Sequence, residues 1–254
     1  MIRINKGDPP ASLVRAATRL NALNEAAFNA DPLGYYNGTK KFGFKKTYGC
    51  KAVKKALTRD QHGKCCFSEA KFVKDEAHVE HFRPKGRVDT WPPDGTVGYP
   101  GYYWLAYEYS NLFYCKSTTN SSDKRNFFPL IGGTIRNRSH LDTNLERSLL
   151  INPAAEDPRN HIRFENEEIK GITERGKKTI ELLDLRHPDL DEARRTTYRH
   201  LKGHKMSVEA LLASGSPIND PLVVDLLTIL KDAVNERAEF SSMAIDLLTG
   251  WPHL

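Results

Sequence analysis

Between Lys64 and Leu130 helical spacing fades, and aromatic and potential ligand residues crowd together, while both flanks keep a clear helical period. That contrast constrains the chain most: the flanks fold as helices and the middle folds as short strands and turns. Upstream, Leu13, Ala16, Ala17, Leu20, Leu23 and Ala27 recur at helical spacing between Pro9-Pro10 and Asp31-Pro32, which predicts a helix over Ala11 to Ala30. A loop, "NGTKKFGFKK", and a short basic helix over Lys51 to Thr58 follow. Downstream, Ile162 to Phe164 and Ile169 form a small hairpin around "ENEE". Thr173 caps a helix running to Leu185, Asp191 to Lys205 forms a basic one, and Pro221 to Leu248 reads as a single apolar last helix.

In the middle, "KCCFSEAKF" and "AHVEHFRP" read as two short strands around a polar turn near Lys74 to Glu76, with Pro84 ending the second. "YYWLAYEYSNLFYC" reads as helix, or helix plus turn. Three segments result: 1-60 helical, 61-131 carrying the chemistry, and 132-254 mostly helical with the hairpin and a face suited to a partner. The fold class expected is α+β, mostly helical.

A chain of 254 residues, 39% hydrophobic, is long enough for a real core. Its net charge of +6 suits a polyanionic partner such as nucleic acid without requiring one. No apolar run is long enough to span a bilayer, and the first residues lack a secretory core, so no membrane partner and a cytoplasmic location are expected. Four cysteines, two of them adjacent, argue against a disulfide framework.

Chemistry concentrates at His78-Val79-Glu80-His81. Neither zinc-protease spacing fits it, and Val79 and Pro84 favour a strand end over the helix those motifs need. Cutting a phosphodiester requires a base to activate water and a cation to offset charge on the phosphate and the leaving oxygen. Imidazole supplies the first, and a carboxylate with an amide oxygen holds a hard Mg²⁺ for the second. Glu80, His81, Asn111 and Asn120 provide these groups.

"VEHFRPK", "YYWLAYEYSNLFYC" and "NSSDKRNFFPL", in this order, resemble the HNH endonucleases of the ββα-metal fold, and more narrowly the subfamily of retron-associated and Septu-type anti-phage systems. "MIRINKGDPP", "LERSLLINPAAEDPRNHIRF" and "TERGKKTIELLDL" extend the likeness to about Leu201. The resemblance implies a ββα-metal centre flanked by N- and C-terminal helices and a metal-dependent endonuclease, DNA favoured, using Mg²⁺ or Mn²⁺. It implies His81 as general base, Glu80 and Asn120 as metal ligands, and Asn111 as the brace that orients His81. His78 would support the site, and Arg83, Lys85, Lys124 and Arg125 would contact backbone phosphates. It also implies an ABC-type ATPase companion and, in retron systems, a reverse transcriptase and its DNA.

One departure stands out. Many such proteins bind a structural zinc through two C-x-x-C pairs, but the matching positions here are Cys65, Ser68, Lys116 and Thr119. No structural zinc is expected, with Phe67, Trp104, Leu112 and Phe113 packing in its place. Two other readings stay open: a non-catalytic nucleic-acid-binding or scaffold subunit, and an RNA-cutting toxin that acts on tRNA with the same site.

Overall fold

A computed structural model describes residues 1–71, 77–116 and 124–254. The first helix, α1 (Ala11–Ala30), forms where the apolar spacing places it and buries Leu13, Leu20 and Phe28. Asp31 ends it and caps α2 (Pro32–Tyr36) by accepting a hydrogen bond from the Gly34 amide at 3.0 Å. α3 (Lys51–Asp60) turns Val53, Ala56 and Leu57 inward, where they meet Leu13, Tyr107, Leu112 and Tyr114. Burying side chains like Val53 and Leu57 contributes roughly 1.5–3 kcal/mol each.

The central hairpin differs from its expected pairing. β1 (Ala77–His81) pairs antiparallel with Leu112–Lys116, not with the segment around Cys65. Lys64 to Lys71 instead folds back on itself: Lys64 bridges Lys71, the Cys65 amide donates to the Ala70 carbonyl, and Glu69 takes the left-handed conformation at φ 62°. The aromatic run is not a helix either. It forms tight turns at Tyr103–Leu105 and Tyr109–Asn111 and then enters the strand. Leu112 to Cys115 are buried at four successive positions, the signature of a strand covered on both faces. A small β2 (Val88–Asp89) and β3 (Val97–Gly98) pair within the connection, which makes the Leu112–Lys116 strand β4.

Gln61, buried just past α3, fixes the outer edge of β4. Its side-chain amide donates to the Tyr114 carbonyl at 2.6 Å and accepts from the Tyr114 amide at 2.8 Å. A side chain thus completes the strand's backbone pairing.

In the C-terminal part, β5 (Ile162–Glu165) and β6 (Glu168–Gly171) form the expected hairpin. Thr173 caps α4 (Glu174–Leu182), accepting from the Gly176 amide at 3.1 Å. α5 (Pro188–Ala213) is longer than the basic stretch alone, because His187 caps it and Pro188 fits its first turn. The last helix divides into α6 (Pro221–Ala233) and α7 (Ser241–Leu248). The break has a physical cause. Phe240 sits at φ 50°, and the start of α7 donates to the buried Glu69 carboxylate through the Ser241 hydroxyl at 2.9 Å and the Ser242 amide at 3.2 Å.

One apolar cluster joins the Cys65–Phe67 turn, Phe82, Phe113, Leu150, Ile162 and Leu185. It draws on the chain from Met1 to Leu185 and covers one face of β4 through Phe113 and Cys115. Cys65, Cys66 and Cys115 are buried in it as free thiols, beside Phe67 and Phe113, and Trp104 packs against it. Leu112 instead joins the cluster around α3. Thr119 lies outside the described residues. No helix among the described residues is long and apolar enough to cross a membrane.

Candidate active site

β1 ends at His81, opposite Leu112 of β4, and leaves Glu80 and His81 at the floor of an open cleft of about 380 Å³. Both are buried, at 7% and 4% exposure, which is unusual for groups of this polarity and requires that each be partnered.

His81 is held from two sides. Its Nε2 lies 3.0 Å from the Ala106 carbonyl, which can only accept, so Nε2 carries the ring hydrogen and Nδ1 keeps its lone pair. The Lys85 ammonium donates to that lone pair at 3.3 Å, and the Tyr48 ring meets the imidazole edge-on at 4.6 Å between centroids. Burial, with Lys85 and Lys124 adding positive charge, lowers the His81 pKa to about 3. The ring is therefore neutral near pH 7, and its Nδ1 lone pair is engaged by Lys85, a residue of the cleft wall.

Glu80 pairs with Lys124. The ammonium is fully buried, 2.6 Å from Glu80 Oε1, and also donates to the His81 carbonyl at 2.9 Å. Burial raises the Glu80 pKa, while Lys124 and then Lys85 work against that shift. One lysine thus fixes both the carboxylate and the backbone of its histidine neighbour.

Asn111, buried ahead of β4, clamps the chain just after His81. Its Oδ1 accepts from the Arg83 amide at 2.8 Å, and its Nδ2 donates to the carbonyls of Arg83 at 3.0 Å and Leu105 at 3.2 Å. It thereby ties the residues after His81 to those that carry the Ala106 carbonyl.

The other expected site residues divide. Lys85 and Arg125 line the cleft. Lys124 does not reach solvent as a phosphate contact would, because its charge is spent on Glu80. Arg83 turns to the opposite side, where it pairs with Glu146 at 3.1 Å and lies over Phe128. His78 is exposed on β1 and lines no part of the cleft. Asn120 lies outside the described residues. Residues that sequence reasoning did not assign to the site also line it: Lys41, Arg87, Tyr99 and Asn126. Lys41 and Phe44 belong to "NGTKKFGFKK", where cations interleave with aromatics, a pattern visible in sequence; nothing in the sequence marks Tyr48 or the Ala106 carbonyl.

Among the described residues no three His, Cys, Asp or Glu converge as a metal site. A divalent cation nevertheless suits the donor chemistry. Mg²⁺ is commonly held by one or two carboxylates with water and substrate phosphate filling the remaining positions, and Glu80 is one carboxylate facing an open cleft. The Lys124 ammonium already pairs with Oε1 of that carboxylate, so a cation would share the carboxylate with it.

A buried histidine and carboxylate thus lie under a cleft lined by lysine and arginine. The chain is similar to the Septu protein PtuB of Bacillus mycoides (strain KBAB4), with 29% identity over 212 residues, covering 82% of this chain and 70% of that protein. This homology supports a Septu-type protein. No family model and no solved structure matches the chain.

Proposed function

We propose that the chain is a metal-dependent nucleic-acid endonuclease of the HNH, ββα-metal type, acting in a Septu-type anti-phage system beside an ATPase companion. The observation that carries the nuclease reading is the His81 tautomer: Nε2 donates to Ala106, so Nδ1, contacted by the cleft residue Lys85, is the nitrogen left to take a proton beside a buried carboxylate. The relative's name supports the defence context. DNA is the favoured substrate.

Glu80 would hold the divalent cation, with Asn120 as the second ligand implied by the HNH resemblance. When bound, the cation supplies charge stabilisation to the phosphate and the leaving oxygen. The chain's own residues do the rest. Lys85 moves from Nδ1 to the incoming phosphate, which frees the lone pair for a water. His81 takes that water's proton as its oxygen attacks phosphorus, the bond to the leaving oxygen breaks, and the leaving oxygen is protonated from solvent. The products expected from the resemblance carry 5′-phosphate and 3′-hydroxyl ends. Arg87 and Arg125 line the path of the backbone and attract it without reading its sequence.

Cleavage of labelled single- and double-stranded DNA and of tRNA tests this reading, using wild type and His81→Ala with Mg²⁺, Mn²⁺ or EDTA, alone and with the companion ATPase. Metal-dependent cutting lost in His81→Ala is the expected result. No cutting under any condition favours the scaffold reading instead, and cutting of tRNA alone favours the toxin.

A further inference from the structure

Two clefts meet at Glu80. The first, of about 380 Å³, has Phe44, Tyr99 and Pro84 in its walls and His81 on its floor. The second, of about 620 Å³, is lined by Asp89, Thr90 and Thr96 together with Val97 and the buried Phe127. Glu80, Arg87, Arg125 and Asn126 line both, so the boundary between them coincides with the charged centre. If the nuclease reading holds, the scissile phosphate lies at that boundary with a nucleoside on either side.

The two sides differ in chemistry, and the aromatic one is built rigidly. Phe42 anchors the loop before Phe44, stacking on Tyr35 at 4.2 Å and on Tyr103 at 4.4 Å. The Lys45 amide anchors the loop after it by donating to the Tyr107 hydroxyl at 2.7 Å. Phe44 is therefore fixed from both neighbours while its own ring borders the cleft. Tyr99 is fixed as well. Its ring packs on Gly38, where φ is +77° and a Cβ would lie 2.7 Å from the Tyr99 ring, and its carbonyl accepts from Arg138 Nε at 2.9 Å. Gly86 borders the same ring: a Cβ there would be in van der Waals contact with Phe44 at 3.9 Å.

We propose that the Phe44 and Tyr99 side of the cleft is a nucleobase subsite, which takes one unpaired base beside the scissile phosphate and makes single-stranded or locally opened nucleic acid the substrate. Rings held edge or face to a cleft, with cations along its rim, are the arrangement that binds single strands. A base inside a duplex has both faces covered by its neighbours and offers none to Phe44 or Tyr99. Stacking tolerates any base, so the subsite selects for strandedness and not for sequence.

The test uses oligonucleotides with a single 2-aminopurine, single-stranded and as a duplex, bound to full-length His81→Ala protein in EDTA. Phe44→Leu in that background keeps apolar packing but removes the π face, and Phe44→Trp keeps the face. Expected are fluorescence quenching and tighter binding for the single strand, a loss of about 5- to 150-fold in affinity with Phe44→Leu, and retention with Phe44→Trp. Equal binding of duplex and single strand, with Phe44→Leu indistinguishable from its parent, would overturn the subsite. That outcome is separable from failure of the nuclease reading: selective single-strand binding without any cutting by protein that retains His81 upholds the subsite and removes the nuclease.

Discussion

His81 Nε2 donates to the Ala106 carbonyl across 3.0 Å, and this contact decides which nitrogen of the ring can act as a base. The two residues lie 25 positions apart, on β1 and on the turn before β4, and the contact survives because Asn111 ties their surroundings together. Site chemistry and hairpin geometry are therefore coupled.

Asn111→Ala removes three hydrogen bonds and leaves the Arg83 amide without its acceptor. Urea unfolding should show a loss of about 1–3 kcal/mol. Cleavage should fall by more than stability explains, measured on the remaining folded protein. An unchanged rate would separate Asn111 from the orientation of His81.

Lys124→Met strands the buried Glu80 charge and should cost about 3–5 kcal/mol of stability. The double variant Glu80→Gln with Lys124→Met removes both charges and should recover most of that loss. If the double variant is as unstable as the sum of the two single ones, the ion pair is not what Lys124 contributes.

Stability should fall on the acid side in a way that depends on His81. Its folded pKa is lowered to about 3 from an ordinary 6.5. Between those values the unfolded chain binds a proton that the folded one refuses. Unfolding is thus favoured as pH falls from about 6.5 toward 3, by at most about 1.4 kcal/mol per pH unit. Above 6.5 neither state binds it and the effect vanishes. In denaturant unfolding at pH 7 and pH 5, His81→Gln should lose less stability than wild type over the same interval.

Gly101→Ala should disturb the loop that carries Lys85. A Cβ at Gly101 would lie 2.5 Å from the Pro84 carbonyl oxygen and 2.6 Å from the Arg87 amide nitrogen, both backbone atoms that cannot swing aside. A destabilisation of about 1–3 kcal/mol by thermal or urea unfolding is expected, the size usual for overpacking.

The flanking helices were legible because each carries its own period and punctuation: α1 matches Ala11–Ala30, and Thr173 caps α4. The middle was not, since strand partners are chosen by tertiary packing. Nothing local in "AHVEHFRP" says that β1 reaches past the nearby Cys65 segment to Leu112. Glu80, His81 and Asn111 stood out by chemical type and order, and the structure places them on one hairpin, on β1 and just before β4. The sequence marks Lys124 as a cation, but only burial shows it bound to a carboxylate and not to phosphate. Tyr48 touches His81 from a helical turn more than thirty residues upstream, and no spacing rule reaches that far.

The most direct measurement is chemical rescue of His81→Gly. Cleavage of a labelled single strand with Mg²⁺ would be followed with and without added imidazole, against wild type. Loss of about 10²- to 10⁴-fold in rate, partly restored by imidazole, is the result expected of a general base. Cutting by His81→Gly at the wild-type rate without imidazole would contradict the assignment of His81, and with it the proposed mechanism.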